Sequence, residues 1–236
     1  MDTVRRGYDP GDEEAFGARH EAAMAAAAEE IRWLLARGYE AKPAVTFVGN
    51  HYQLSLRQRM ALKRMLASPE DSAARKRKEL GTLSGEVLMD GLNTIITLEV
   101  ALSDSVVTEG DDGAFRDIAD IHGTFRIVDK TLKAANLIFD ELSAYPIERL
   151  TILLDRPVSN SGRLKALLEE KGRRCSFPIE VLLPDCPDRE MEGKERVISS
   201  DAVVLDRCVS WFNLTGRIIR EKIPEAWIVR YNANKS

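Results

Sequence analysis

Short apolar runs alternate with helix-like patterns over the last two thirds of the chain. The runs are rich in Val, Ile and Leu, which is typical of strands buried in a parallel sheet. They fall at residues 86–89, 150–154, 179–183, 197–199 and 227–229. Between them, apolar residues recur at intervals of four and three from Val128 to Leu142, and residues 163–170 and 201–222 also have helical patterns. This alternation predicts an α/β domain over residues 85–236, built on a Rossmann-like, doubly wound parallel sheet of about five strands.

The first 80 residues carry helical patterns and no strand-like runs. An Ala-rich stretch predicts a helix over residues 12–37, and residues 44–48 predict a short second helix. A third helix is expected after Ser55, which has the spacing of a capping box. Residues 68–84 are rich in Ser, Pro and charge and are interpreted as a linker or an exposed arm. The sequence thus predicts a small all-helical module in front of the α/β domain.

Charge is distributed unevenly between these two parts. The chain has 236 residues and a net charge of −4, with 34 Lys and Arg against 38 Asp and Glu. Residues 1–80 hold 14 of the basic and 12 of the acidic residues, a balance of +2, which leaves −6 for the remainder. The basic residues of the third helix, Arg57, Arg59, Lys63 and Arg64, lie largely on one face. Such a face is usually just solvated, but it also suits non-specific contacts with a nucleic-acid backbone. The basic run 75–78 would supply further contacts of this kind.

Composition excludes several classes of protein. The three cysteines lack a C-x-x-C spacing, so neither a disulfide framework nor a zinc knuckle is indicated. The first residues are polar, and no run approaches the roughly 18 to 20 apolar residues of a membrane span. We therefore expect a cytoplasmic protein that is neither exported nor embedded in a membrane.

Aspartates follow four of the predicted strands, namely Asp90, Asp155, Asp185 and Asp201. The carboxyl ends of parallel strands lie at one edge of a sheet, where open α/β folds bind their ligands. Clustered carboxylates repel each other unless they share protons or a cation, and Mg²⁺ or Mn²⁺ prefers such oxygen ligands. Asp also caps helices and occurs in turns without any chemistry, an interpretation that is at least as good for Asp155 and Asp185.

A polar loop follows Asp155 and leads into a helix. Backbone N–H groups in this loop could bind a phosphate, aided by its polar and basic side chains, Arg156, Ser159, Asn160, Ser161 and Arg163. The loop has no Gly-Lys-Ser/Thr of a Walker A motif, and the chain has no G-x-G-x-x-G. A loop whose Ser and Asn side chains merely cap a helix is an equally good interpretation.

The motifs Asp90-Gly91-Leu92-Asn93 and Ser199-Ser200-Asp201 resemble the PIN and NYN nuclease-like domains, in which a first strand ends in Asp and a later one runs into Ser/Thr-x-Asp. Most of the chain also resembles the family catalogued as domain of unknown function four-three-four, a label that implies no activity. The PIN resemblance implies Asp90 and Asp201 as metal ligands. It also implies Glu99 as the acidic residue of the intervening helix. The residues themselves place Asn93 and Ser200 beside the two carboxylates, as candidates for binding the phosphate or the substrate.

Together these features predict a metal-dependent phosphodiesterase or ribonuclease. Asp90 and Asp201, with Asp155 or Glu99, would hold Mg²⁺ or Mn²⁺, and Arg156 or Arg163 would clamp the substrate. Nucleic acid is the expected partner, with RNA favoured, and a homo-oligomer is left open. Two alternatives remain: a non-catalytic binding or regulatory protein with the same fold, and an enzyme that acts on a small phosphorylated ligand.

Overall fold

A four-stranded parallel sheet forms the centre of the α/β part of the molecule. The computed structural model describes residues 4–119 and 123–231. The strands in these ranges are β1 (Gly85–Asp90), β2 (Val107–Glu109), β3 (Phe115–Asp117), β4 (Ile147–Leu153), β5 (Ile179–Leu182), β6 (Val197–Ile198) and β7 (Ile228–Val229). The parallel sheet has the order β5-β4-β1-β6. The predicted α/β class is confirmed, with a parallel sheet of four strands.

Helices surround this sheet and make up the N-terminal part of the chain. Those in the described ranges are α1 (Asp12–Ala15), α2 (Ala18–Leu35), α3 (Ala41–His51), α4 (Leu56–Met65), α5 (Pro69–Lys78), α6 (Gly91–Ala101), α7 (Asp129–Leu142), α8 (Ser161–Gly172), α9 (Pro187–Met191), α10 (Ala202–Arg207) and α11 (Leu214–Lys222). The predicted N-terminal helical region is confirmed. Its capping box is formed as expected, because Ser55 and Gln58 bond each other's backbone N–H groups at the start of α4.

Strand β1 lies between β4 and β6, and its apolar residues 87–89 are buried or half-buried. Its register places Met89 beside Ile152 of β4 and Ile198 of β6, and all three side chains are buried. Helix α6 leaves the end of β1 and packs against α7 and α11, so that nearly every residue of α6 is buried. The carboxyl end of β1 is thus held rigidly within the core.

The final strand does not join the parallel sheet, so the expectation of about five strands in it is wrong. Instead, β7 pairs in parallel with β2, which also pairs in antiparallel with β3 to form a second, three-stranded sheet. A short apolar run carries no information about its partner strand. The two strands that β7 joins are only three residues each and were not predicted.

The interpretation of residues 68–84 as a linker or exposed arm is also wrong, because residues 69–78 form α5. Ser68 caps the helix by accepting a hydrogen bond from the N–H of Asp71. Arg75 is buried and forms ion pairs with Asp112 at 2.9 Å and Asp206 at 2.7 Å. These contacts fasten α5 to the α/β part.

The helix predicted over residues 201–222 is interrupted at residues 208–213. Trp211 forms backbone bridges to Glu79 and Val197 there, and its Nε1 donates to the Arg75 carbonyl at 2.7 Å. The indole ring is fully buried. This tertiary pairing overrides the local helical preference and separates α10 from α11. Within the described residues, no helix is both long and apolar enough to cross a membrane.

Candidate active site

A cleft lies at the carboxyl-end edge of the parallel sheet. The chain order reverses at β1, because β4 lies on one side of it and β6 on the other. Open α/β sheets bind ligands in the crevice outside such a switch point. The cleft has a volume of about 290 Å³, and five aspartates line it: Asp90, Asp117, Asp155, Asp188 and Asp201. The structure thus brings three of the four predicted strand-end aspartates together.

Asp90 is the most deeply buried of these carboxylates and is 1% exposed. Its Oδ2 accepts hydrogen bonds from Asn93 Nδ2 at 2.7 Å and from Ser199 Oγ at 2.9 Å. Its Oδ1 accepts a longer bond, of 3.3 Å, from the Asn93 backbone N–H. Burial raises the pKa of Asp90 from 3.8 to about 7 against these hydrogen bonds, and the charge of Asp201 raises it further. A nearby cation would oppose this rise.

Gly91 allows α6 to begin directly after Asp90. A Cβ atom at this position would lie 2.6 Å from Ile152 Cγ2 and 2.7 Å from Leu154 Cδ2. The close approach of α6 to β4 and to the residue after it therefore requires glycine at this position. Because α6 lies so close, Asn93 in its first turn reaches back to the Asp90 carboxylate.

Asp201 begins α10, as the sequence predicted. Its Oδ1 accepts hydrogen bonds from the N–H groups of Val203 at 2.8 Å and Val204 at 3.3 Å. Its Oδ2 accepts none from any residue that the structure describes. Ser199 links the two strand ends, because its hydroxyl donates to Asp90 and accepts from the Asp201 N–H at 3.1 Å. The capping role therefore leaves one carboxylate oxygen of Asp201 uncommitted at the cleft.

The remaining three aspartates of the cleft are half-buried. Burial raises the pKa of both Asp155 and Asp188, and the charges of Asp201 and Asp155 raise that of Asp188 further. Asp117 ends β3 and accepts hydrogen bonds from Thr97 Oγ1 at 3.3 Å and from the Ala119 N–H at 2.9 Å. No described Lys, Arg or His forms an ion pair with any of these five carboxylates. Arg64 lines the cleft without such a pair, and the charge of Arg207 lowers the pKa of Asp188, so no direct ion pair with a described side chain relieves the mutual repulsion of the five carboxylates.

The donor set of the cleft suits a hard divalent cation that keeps most of its water ligands. Within residues 4–119 and 123–231, no group of three or more His, Cys, Asp or Glu side chains is close enough to enclose a metal ion. Mg²⁺ commonly binds through one or two carboxylates, water and substrate phosphates. Asp90 and Asp201, which Ser199 links, fit a Mg²⁺ ion that is bound through two carboxylates and otherwise by water and phosphate. Asp155 does not complete a three-carboxylate site with them.

Glu99 does not line the cleft, so the structure does not bring it together with Asp90 and Asp201. It is fully buried and forms an ion pair with Arg6 through Nε and Oε2 at 2.7 Å, while Thr131 donates to its Oε1. Burial raises the pKa of Glu99 against these contacts. Six residues of helix place Glu99 about 9 Å farther along the axis than Asn93. Its contacts hold the N-terminal residues against α6 and α7.

The polar loop after β4 is engaged in contacts within the protein. Ser159 Oγ accepts a hydrogen bond from the Phe125 N–H, and Asn160 donates to the Phe125 carbonyl at 2.7 Å. Ser161 donates to the carbonyls of Asp155 and Val158. These hydrogen bonds agree with the alternative interpretation of the sequence, in which the Ser and Asn side chains of the loop stabilise the fold.

The two arginines of this loop also lie away from the aspartates of the cleft. Arg156 donates to the Leu183 carbonyl and forms an exposed ion pair with Asp185 at 3.4 Å. Arg163 is exposed, and neither arginine lines the cleft. Ser200 is buried, and its carbonyl accepts from Arg116 Nε at 2.6 Å. Asp185 is a turn residue outside the cleft, as the simpler interpretation had it.

The basic face of α4 is divided between structural and exposed side chains. Arg57 forms an ion pair with Asp12 and donates to backbone carbonyls, and Arg59 donates to three carbonyls and to Asn50. Both side chains therefore make contacts within the protein, and the basic face of α4 is only partly exposed, contrary to the expectation. Lys63 and Arg64 remain exposed.

Sequence reasoning missed Asp117 and Asp188 as residues of the cleft. Asp117 ends β3, and a strand of only three residues gives no recognisable pattern in the sequence. Asp188 follows Pro187 in α9, a five-residue helix between β5 and β6. Its position after the end of a parallel strand was the signal that could have pointed to the same edge of the sheet.

Comparison with known proteins places the chain among families of unknown function. Residues 80–217 match the family described as Domain of unknown function (DUF5616), which spans more than half of the chain. The chain belongs to this family. Residues 23–78 match Protein of unknown function (DUF434), so the resemblance to family four-three-four holds for the helical part and not for most of the chain.

One relative of this DUF5616 protein extends over both parts. Uncharacterized protein MJ0935 of Methanocaldococcus jannaschii is 34% identical over 182 residues, which cover 76% of this chain and 87% of the relative. No solved structure matches the chain. None of these matches names a PIN or NYN domain.

Proposed function

We propose that the aspartate cleft is the active site of a metal-dependent phosphodiesterase that hydrolyses nucleic acid, with RNA as the favoured substrate. The observation that carries the proposal is the pairing of Asp90 and Asp201 through Ser199 at the switch point of the parallel sheet.

Asp90 and Asp201 are the residues that would hold Mg²⁺ or Mn²⁺. Asn93 and Ser199 orient the Asp90 carboxylate by donating to its Oδ2, and the capping bonds of Asp201 fix its Oδ1. When bound, the cation supplies charge stabilisation to the phosphate and lowers the pKa of a water molecule. Asp90 is buried, and neither Asp90 nor Asp201 has an ion-pair partner among the described residues. Binding a cation would therefore stabilise both carboxylates.

The half-buried carboxylates Asp155 and Asp188 have a second role in this proposal. Water adds to phosphorus while the bond between phosphorus and the leaving oxygen breaks; the attacking water gives up a proton, and the leaving oxygen takes up a proton from solvent. A raised pKa makes a carboxylate a stronger base than an ordinary aspartate. Asp155 and Asp188 are therefore the candidates for taking up this proton.

The test is a Mn²⁺-dependent cleavage assay on single-stranded RNA and DNA. Asp90→Asn and Asp201→Asn are expected to lower the cleavage rate by at least about 100-fold, because each removes a direct ligand. Asp185→Asn is the matched control, since this aspartate also follows a strand but is exposed outside the cleft. Activity that survives both substitutions in the cleft, or that Asp185→Asn lowers as much, would contradict the proposal.

A further inference from the structure

Arg64 of the helical module lies at the aspartate cleft. It is the one Lys or Arg among the described residues that line the cleft, and it is exposed. Its side chain forms no ion pair or hydrogen bond with any residue in the described ranges. All other charged side chains that line the cleft within the described residues are aspartates. The positive charge that an anionic substrate would meet in this part of the cleft therefore comes from α4.

A buried network fixes the position of Arg64 relative to the aspartates. Arg116 NH1 donates to the Arg64 carbonyl at 3.2 Å, and Arg116 Nε donates to the Ser200 carbonyl at 2.6 Å. Asp112 holds the same guanidinium through two hydrogen bonds of 2.9 and 2.6 Å. One buried arginine thus joins the backbone at the end of α4 to the residue before Asp201, so the Arg64 backbone is held at the cleft while its side chain is exposed.

A second hollow continues from the cleft past Arg64. It has a volume of about 350 Å³, shares Arg64 and Asp201 with the cleft, and is also lined by Lys63 and Met60. Lys63 is exposed and, like Arg64, has no ion-pair partner among the described residues. Two adjacent cations therefore border a path that leads away from the aspartates.

The path becomes unfavourable for phosphate beyond Lys63. A third hollow adjoins the second at Lys63 and Arg64, and its lining includes Glu40, Glu70 and Asp71. These carboxylates would repel a phosphate backbone. The favourable footprint is therefore short, with one phosphate beside Arg64 and the next beside Lys63.

We propose that the substrate is a single-stranded nucleic acid, in which Arg64 binds the phosphate next to the one held at the aspartates and Lys63 binds the following phosphate. This inference rests on the proposed function for its assignment of the cleft. The sizes of the two hollows support a single strand, because each is at the lower end of the volumes of small-molecule sites. A duplex would require a much wider groove.

The test measures binding of a fluorescent single-stranded RNA of about 10 nucleotides to the full-length chain, by anisotropy, at several salt concentrations. Ca²⁺ is included as a hard cation that binds carboxylates. Two phosphate contacts predict a slope of log K against log salt of about −1.4, which Arg64→Ala reduces to about −0.7. Arg64→Ala and Lys63→Ala are each expected to weaken binding about 10-fold, and Arg64→Lys to retain the slope.

Arg19→Ala is the matched control, because Arg19 is an exposed arginine of the same module that does not line the three hollows. It should leave the affinity unchanged. Equal affinity of the wild type and Arg64→Ala, an equal loss in Arg19→Ala, or tighter binding of duplex than of single strand would each overturn the inference. Binding of a mononucleotide with the affinity of the full oligonucleotide would overturn it too, since Lys63 would then have no phosphate to contact.

The outcome is separable from that of the proposed function. An Arg64-dependent affinity without cleavage under any condition supports the single-strand path and contradicts the phosphodiesterase. Cleavage that depends on Asp201 while binding ignores Arg64 and Lys63 supports the phosphodiesterase and overturns the path.

Discussion

Replacing Asp90 by Asn removes a carboxylate that folding buries at an energetic cost. Burial raises the pKa of Asp90 from 3.8 to about 7, so the folded chain binds this proton more tightly than the unfolded chain. The contribution of Asp90 to stability is therefore fully present below about pH 4. It is lost as the pH rises towards about 7.

The size of this loss follows from the pKa difference. At about 1.4 kcal/mol for each pKa unit, the change from 3.8 to about 7 corresponds to about 4 kcal/mol of unfolding free energy. Asparagine at position 90 carries no charge, but its amide nitrogen would stand where Asp90 Oδ1 accepts the 3.3 Å hydrogen bond from the Asn93 N–H. Loss of this hydrogen bond lowers the unfolding free energy by about 1 kcal/mol. Asp90→Asn is thus expected to be more stable than wild type by about 3 kcal/mol at pH 8, and slightly less stable at pH 4.

Urea unfolding of the metal-free protein between pH 4 and pH 8 measures this difference. The wild-type curve should fall relative to that of Asp90→Asn as the pH rises, and addition of Mg²⁺ at pH 8 should stabilise the wild type but not Asp90→Asn. Asp185→Asn, an exposed substitution, should follow the wild type throughout. Parallel curves for wild type and Asp90→Asn, or a less stable Asp90→Asn at pH 8, would refute the reasoning.

Three further outcomes are expected. Gly91→Ala should lower the free energy of unfolding by about 1 to 3 kcal/mol in urea titrations, because its Cβ would overlap side chains at and after β4. Asp112→Asn should lower it by about 3 to 5 kcal/mol, because it leaves the buried guanidinium groups of Arg75 and Arg116 without their shared partner. Calorimetry should find Mg²⁺ bound more tightly at about pH 8 than at about pH 6, because Asp90 must lose its proton near pH 7 to bind the ion.

Matched substitutions test each of these outcomes. Gly162→Ala places its Cβ in open space and should not destabilise the protein, so an equal loss there would contradict the packing argument. Asp206→Asn removes the more exposed partner of Arg75 and should cost about 1 kcal/mol or less. An Mg²⁺ affinity independent of pH, or one that Asp185→Asn lowers, would contradict the role of Asp90.

Local sequence signals predicted those parts of the fold that local physics determines. The capping box at Ser55 and the N-cap at Asp201 both formed, because their hydrogen bonds join residues two or three positions apart. The strands of the parallel sheet were found because a strand buried on both faces needs a continuous apolar run. Asp90 and Asp201 meet because parallel strands end at the same edge.

Long-range partners account for the parts that the sequence did not reveal. Helix α5 was interpreted as a linker, because the burial of Arg75 depends on Asp112 and Asp206, which are distant in the chain. Similarly, Trp211 interrupts a helical pattern because it pairs with residues 79 and 197. The ion pair of Glu99 was not foreseen, because its partner Arg6 lies in a segment without periodicity.

The most direct measurement of the central claim is calorimetric titration of Mn²⁺ into the metal-free chain at about pH 8, above the pKa of Asp90 of about 7. The account predicts binding to the wild type and to Asp185→Asn, and affinities at least about 100-fold lower for Asp90→Asn and Asp201→Asn. Equal Mn²⁺ affinity in all four proteins, or no binding to the wild type, would contradict a metal site at the aspartate cleft.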